Sequence, residues 1–159
     1  MARATFVQKA RKDVAGTDIK AGDSYYWWKF RFGGKHYSKT APKRSQLTQS
    51  NFYSQLWDIE DDIGTLEAGD GLESDVADIA QRLRDLAQEC TDARDNMPEQ
   101  LQDSDTGTML QERAEACEAA ADELEGLDLS DMSKEDDESD EDFWQRKLDE
   151  IQAINIDAP

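Results

Sequence analysis

The chain has 159 residues, 37% of them apolar and 35% charged, with a net charge of −19. That apolar share lies below the globular norm and the charged share above it, which excludes a single large core and favours narrow apolar stripes on thin helical packing. The charge is also segregated: residues 1–45 hold eleven Lys/Arg against three Asp, whereas residues 46–159 hold seven Lys/Arg against thirty-four Asp/Glu. Opposite fields select opposite partners, so this asymmetry speaks to association more than to fold. No run approaches the ~18 apolar residues of a membrane span, and the stretch Met1–Lys9 lacks the apolar run of a secretory signal. Two cysteines, Cys90 and Cys117, are too few for a disulfide framework, so a reducing, cytoplasmic setting is expected.

The basic end reads as a small antiparallel sheet. Thr5–Ala10 supplies a first strand, and turns at Gly16 and Gly22 lead to the aromatic run Ser24–Phe32. Gly33-Gly34 suits a tight two-residue turn, after which Lys35–Thr40 returns. Alternation puts Tyr26, Trp28, Phe30 and Phe32 on the face better suited to burial and leaves Tyr25, Trp27, Lys29 and Arg31 on the other. Rings interleaved with cations are what a nucleic-acid surface needs, because cations neutralise phosphates and rings stack on bases. The candidate residues are Trp27, Lys29, Arg31, Lys35, Tyr37, Lys39, Lys43 and Arg44. The competing reading is that the rings are core and the cations are solvated or paired with the chain's own acids. His36 has no second His or Cys nearby and suits a surface hydrogen bond better than a metal.

The run Tyr25–Thr40 resembles the basic hairpin of the AP2-like amino-terminal domains of phage and mobile-element integrases. In that family the sheet lies in a DNA groove, which the resemblance extends to these residues as an expectation. It covers about a tenth of the chain, and nothing in the acidic remainder is similar to a catalytic integrase domain. The block as a whole is similar to small proteins of tailed bacteriophages that carry no assigned function. A phage origin would make the compartment the host cytoplasm.

Beyond Pro42 the periodicity becomes helical. Ser45 or Thr48 is placed to cap a helix whose stripe Phe52, Leu56, Ile59, Ile63, Leu66 steps by four and three, with Gly69-Asp70-Gly71 ending it. A second stripe runs Leu72, Val76, Ile79, Leu83, Leu86, Cys90 up to Asn96-Met97-Pro98. After the turn-rich Asp103–Gly107, a third runs Leu110, Ala114, Cys117, Ala121, Leu124. Two such helices with a short connection should fold back as an antiparallel pair. Facing positions then share a constant index sum; a sum of 207 matches Cys90 with Cys117, Leu86 with Ala121, Leu83 with Leu124, Ala93 with Ala114 and Met97 with Leu110. The cysteines read as buried packing groups, with a redox-sensitive clip as the alternative. Ser133–Asp142 carries seven acids in ten residues and reads as an extended linker, followed by an amphipathic helix led by Phe143 and Trp144. That last helix either docks on a partner or packs on the first helix.

The fold class expected is therefore α+β, mostly α: a three-stranded sheet module over 1–45, a connecting helix over 46–69, a coiled-coil-like acidic helical hairpin over 70–128, an acidic linker over 129–142, and an amphipathic helix and tail over 143–159. The sequence holds no phosphate loop, no nucleophile beside a His and no metal-ligand spacing, so the expectation is a non-enzymatic protein without a cofactor or metal. Asp103-x-Asp105-x-Gly107 lacks the remaining ligands of a calcium loop and reads as a turn. The leading expectation is a protein-binding inhibitor or adaptor that mimics DNA. Its acidic helices, through Glu73, Asp75, Asp78, Asp85, Glu89 and Asp92 with Phe143 and Trp144, would occupy a basic site on a partner. The alternative is a nucleic-acid-binding accessory protein using the basic hairpin, and homodimerisation through the helical pair is a further arrangement.

Overall fold

The aromatic run at the basic end forms the centre of a three-stranded antiparallel sheet: β1 (Thr5–Val7), β2 (Tyr25–Lys29) and β3 (Lys35–Ser38), in the order β1-β2-β3. The computed structural model describes residues 1–69, 71–127, 129 and 139–159, so most of the expected acidic linker lies outside the described residues. The chain is α+β and mostly helical. It divides into two units, Met1–Asp58 and Ile59–Pro159.

In the first unit β1 is shorter than the expected Thr5–Ala10. Ala10 is nevertheless buried and tied to the next strand's approach, donating to the Asp23 carbonyl (2.7 Å) and accepting from Gly22 N–H (2.8 Å). The intervening segment is pinned by carboxylates. Asp13 accepts from Ala21 N–H (2.8 Å) and Asp23 from Lys20 N–H (3.0 Å), while Gly22 takes a φ of 101° that side chains rarely adopt. Ile19, which no periodicity marked, is buried inside this turn.

The hairpin corrects the expected turn. Trp27 pairs with Tyr37, Trp28 with His36 and Lys29 with Lys35, so the loop is the five residues Phe30–Gly34, and neither Gly33 nor Gly34 has a positive φ. A two-residue turn would have set Trp28 against Lys39. The longer loop instead stacks Trp28 on His36 (ring centroids 5.5 Å, planes 15° apart) and brings Trp27 beside Tyr37. Such cross-strand pairs contribute about 0.2–1 kcal/mol each. The burial expected for Phe32 is also overturned: it sits in the loop, 87% exposed, and of the expected inner face only Trp28 is fully buried.

A 3₁₀ turn over Arg44–Leu47 leads to α1 (Asn51–Ile63). The side chain receiving an N–H at the start of α1 is neither Ser45 nor Thr48 but Ser50, whose Oγ accepts from Tyr53 N–H (3.4 Å). Ser45 is buried, its carbonyl holding the Ser54 hydroxyl, and Thr48 bonds Ser50 N–H. The stripe Phe52, Leu56, Ile59 and Ile63 is buried as expected. The helix stops before Leu66, because Gly64, Thr65 and Leu66 N–H groups close its last carbonyls.

The second unit is built on α2 (Leu72–Asp95) and α4 (Asp105–Gly126), which pack together along their length; a single turn, α3 (Glu99–Gln102), lies between them. Leu83, Leu86, Cys90, Cys117, Ala121 and Leu124 are all buried, as the index sum of 207 requires. Ala93, matched to the buried Ala114 by the same sum, is exposed. Asp105–Gly107 belongs to the first turn of α4, with Ser104 as its cap, rather than to a loop. The last helix, α5 (Asp140–Gln152), begins three residues before Phe143: Ser139 caps it through Asp142 N–H (3.1 Å), and Asp140, Glu141 and Asp142 favour the positive end of its dipole. No helix among the described residues is long and apolar enough to cross a membrane.

Candidate binding surfaces

Because β-strand side chains alternate, the observed register decides which residues share a face. The shift from the two-residue turn is an odd number of positions, so it flips the return strand relative to β2. Lys35 and Tyr37 thereby join Trp27 and Lys29 on one face, whereas the shorter turn would have sent them to the other. Lys35 Nζ lies 4.8 Å from the Trp27 ring centre, within cation–π range, and Tyr25 lies 6.1 Å from Tyr37 on the same face. Lys29 stands directly opposite Lys35, and both are exposed.

Arg31 sits outside the strands, in the loop, with its guanidinium 5.2 Å from the centre of the Phe32 ring. Among the described residues, Lys29, Arg31 and Lys35 have no carboxylate at ion-pair distance. Lys39 is different and leaves the candidate set as a ready cation. Asp23 (3.1 Å) and Asp18 (3.6 Å) hold it, and these contacts, led by the Asp23 hydrogen bond, push the Lys39 ammonium's pKa up. Lys43 and Arg44 fall outside the strands, at the 3₁₀ turn, where the Arg44 guanidinium lies 4.2 Å from the centre of the Trp57 ring. Alternation places the Phe32 ring in the core; the five-residue loop instead leaves it exposed beside Arg31, and no residue pattern in the sequence marks that loop length.

Five of the six acidic candidates on α2 share a surface. Asp75, Asp78, Asp85, Glu89 and Asp92 recur with Arg82 at steps of three and four, spanning about 26 Å of helix, and Glu73 falls off that line. Arg82 is committed to Asp62 (2.6 Å). Asp75 and Asp78 also line a cleft of about 450 Å³ with Glu67, Leu66 and Ile79. On a different side of the pair, Arg84 bridges to α4 through Asp122 (3.0 Å) and Glu125, so the Glu125 carboxyl is held below its ordinary pKa by the guanidinium.

Phe143 is fully buried within the chain, which corrects its assignment to a free docking face; Trp144 is half-buried at the edge of the same face. α5 also reaches the end of α1, with Gln152 Nε2 3.5 Å from the Ile63 carbonyl. The cysteines face the seam between α2 and α4. Burial pushes the Cys117 thiol up to about 12, with Cys90 adding to it, and burial raises Cys90 as well. Both thiolates are disfavoured, so the site favours packing over nucleophilic or redox chemistry. Among the described residues no group of three or more His, Cys, Asp or Glu side chains is arranged to hold a metal ion.

No family model matches this sequence, and no curated protein and no solved structure shows significant similarity to it.

Proposed function

We propose that the protein is a non-enzymatic binding protein whose sheet face takes nucleic acid, with the acidic helices available for protein contacts. The observation that carries this reading is the directly opposed pair Lys29 and Lys35 beside Trp27 and Tyr37. Like charges opposite one another weaken a sheet. Here the repulsion is left unrelieved by any described carboxylate, while Lys39 and Lys20 nearby are each paired. A phosphate chain would neutralise the pair, and the adjacent rings would meet sugars or bases. Fluorescence anisotropy of the full chain with labelled oligonucleotides tests it. Three contacting cations give a log K against log salt slope of roughly −2 for a single strand, and the double variant K29E/K35E should lose binding. Salt-independent binding, or binding indifferent to that double variant, would remove this reading.

A second reading keeps the acidic unit as the active surface: an inhibitor or adaptor, phage-encoded if the block's resemblance holds, occupying a basic nucleic-acid-binding site on a partner protein. The row of five carboxylates along one exposed side of α2 supports it, since negative charges repeated along a rod imitate a phosphate backbone. The burial of Phe143 weighs against it by removing the apolar anchor that such docking would use. Capture of a basic nucleic-acid enzyme by the wild type, lost in D78K/D85K/E89K, would favour this reading over the first. Sedimentation of the same proteins reports whether the chain self-associates.

A further inference from the structure

Among the described residues of the first unit the most exposed large apolar side chain is Phe32, 87% accessible in the hairpin loop. A single exposed apolar residue needs no explanation by itself. This one is set among cations. Arg31 lies over its ring, and the exposed Lys29–Lys35 pair closes the base of its loop. Trp27, with Lys35 above it, presents a second half-exposed ring on the adjoining sheet face. The two residues are five positions apart in the chain, so their Cα atoms are at most about 18 Å apart, a span of a few nucleotides.

We infer that the nucleic acid taken by this surface is single-stranded, and that Phe32 receives an unstacked base while Lys29, Arg31 and Lys35 meet the flanking phosphates. This rests on the nucleic-acid reading of the sheet face and narrows it. A duplex offers a protein its phosphates and base edges, but its base faces are already stacked. A ring exposed in a loop gains from a base face only when that face is free, and aromatic platforms interleaved with cations are the chemistry that serves free strands. Residues 24–40 contain no Asn, Gln, Asp or Glu, so the hairpin favours stacking over reading of base edges by amides or carboxylates.

The test uses the full chain and four labelled probes: a 15-nucleotide oligo(dT), the matching oligo(rU), a 15-base-pair duplex, and anionic vesicles of phosphatidylserine and phosphatidylcholine. The expected result is at least ten-fold tighter binding to one or both single strands than to the duplex. Phe32→Ala should weaken single-strand binding by roughly ten-fold or more, and Phe32→Trp should restore it. Phe32 is exposed, so Phe32→Ala should leave the melting temperature unchanged. Equal or tighter duplex binding, or single-strand binding indifferent to Phe32→Ala, overturns this inference while leaving the nucleic-acid reading standing if K29E/K35E still abolishes binding. Binding to vesicles alone, or to no probe, removes both.

Discussion

Gly107, in the first turn of α4, lies against the backbone of Gln102 at the end of α3, so closely that a Cβ at position 107 would overlap the Gln102 carbonyl and come 2.6 Å from its carbon. The obstacle is main chain, which cannot swing aside as a side chain does. Gly107→Ala should therefore destabilise the second unit by about 1–3 kcal/mol through overpacking. Ser104→Ala removes the cap whose Oγ accepts from Gly107 N–H (3.3 Å) and should cost about 1 kcal/mol. Urea unfolding followed by far-ultraviolet circular dichroism measures both. An unperturbed Gly107→Ala would mean that the α3–α4 approach is wider than described.

Phe143 gives a second test, because its two readings predict different losses. As a fully buried ring, its replacement in Phe143→Ala should cost about 3–5 kcal/mol of stability, and Trp144→Ala, at the half-buried edge, distinctly less. A docking residue would show the opposite pattern, with stability intact and partner capture lost. Thermal unfolding of the two single variants separates these outcomes.

How much was legible in the sequence followed from how many residues repeat the same message. The α2–α4 register was readable because Leu83, Leu86, Cys90, Cys117, Ala121 and Leu124 each satisfy one index sum, so no single ambiguous position could shift it. The hairpin loop was not readable, since it turned on two glycines whose tight-turn preference was outweighed by pairing Trp27 with Tyr37 and Trp28 with His36. That local error propagated to Phe32, and it hid the reason Lys35 and Tyr37 share a face with Trp27. Ile19 was missed for a different reason: it is buried by a turn tied together through Asp13 and Asp23, and such a turn has no period. The early start of α5 escaped because three consecutive acids read as linker, although behind Ser139 the same acids stabilise a helix N-terminus.

The Arg84 cluster carries a pH dependence with a definite sign. Hydrogen bonding to Arg84 lowers the Glu125 carboxyl below its ordinary value in the folded chain. Its contribution is therefore present above the unfolded carboxylate pKa and is lost as pH falls through the lowered folded value. The difference in melting temperature between wild type and Arg84→Met should be measurable at pH 7 and vanish on acidification below the ordinary glutamate range. The groups are solvent-exposed, so raising the salt concentration at pH 7 should also shrink the difference. A difference that persists unchanged at low pH would assign the effect to the apolar stem of Arg84 rather than to its charge.

Cys90 and Cys117 lie on the buried seam that joins α2 to α4, and their chemistry should report on that seam. With Cys117 pushed up to about 12, only on the order of one thiol in ten thousand is ionised at pH 8, against about a quarter for an ordinary cysteine. Labelling by a thiol-specific disulfide reagent in native buffer should therefore be slower than that of free cysteine by about a thousand-fold or more, and should follow the rate at which the helices separate. Adding urea should speed labelling in step with loss of helicity. Cys117→Ser places a hydroxyl in an apolar interface and should cost about 1–3 kcal/mol, whereas Cys117→Ala should cost less because the neighbouring alanines already pack closely. Rapid labelling of both thiols in the folded protein would place them at an accessible surface, and with that the antiparallel register of the helical pair would have to be redrawn.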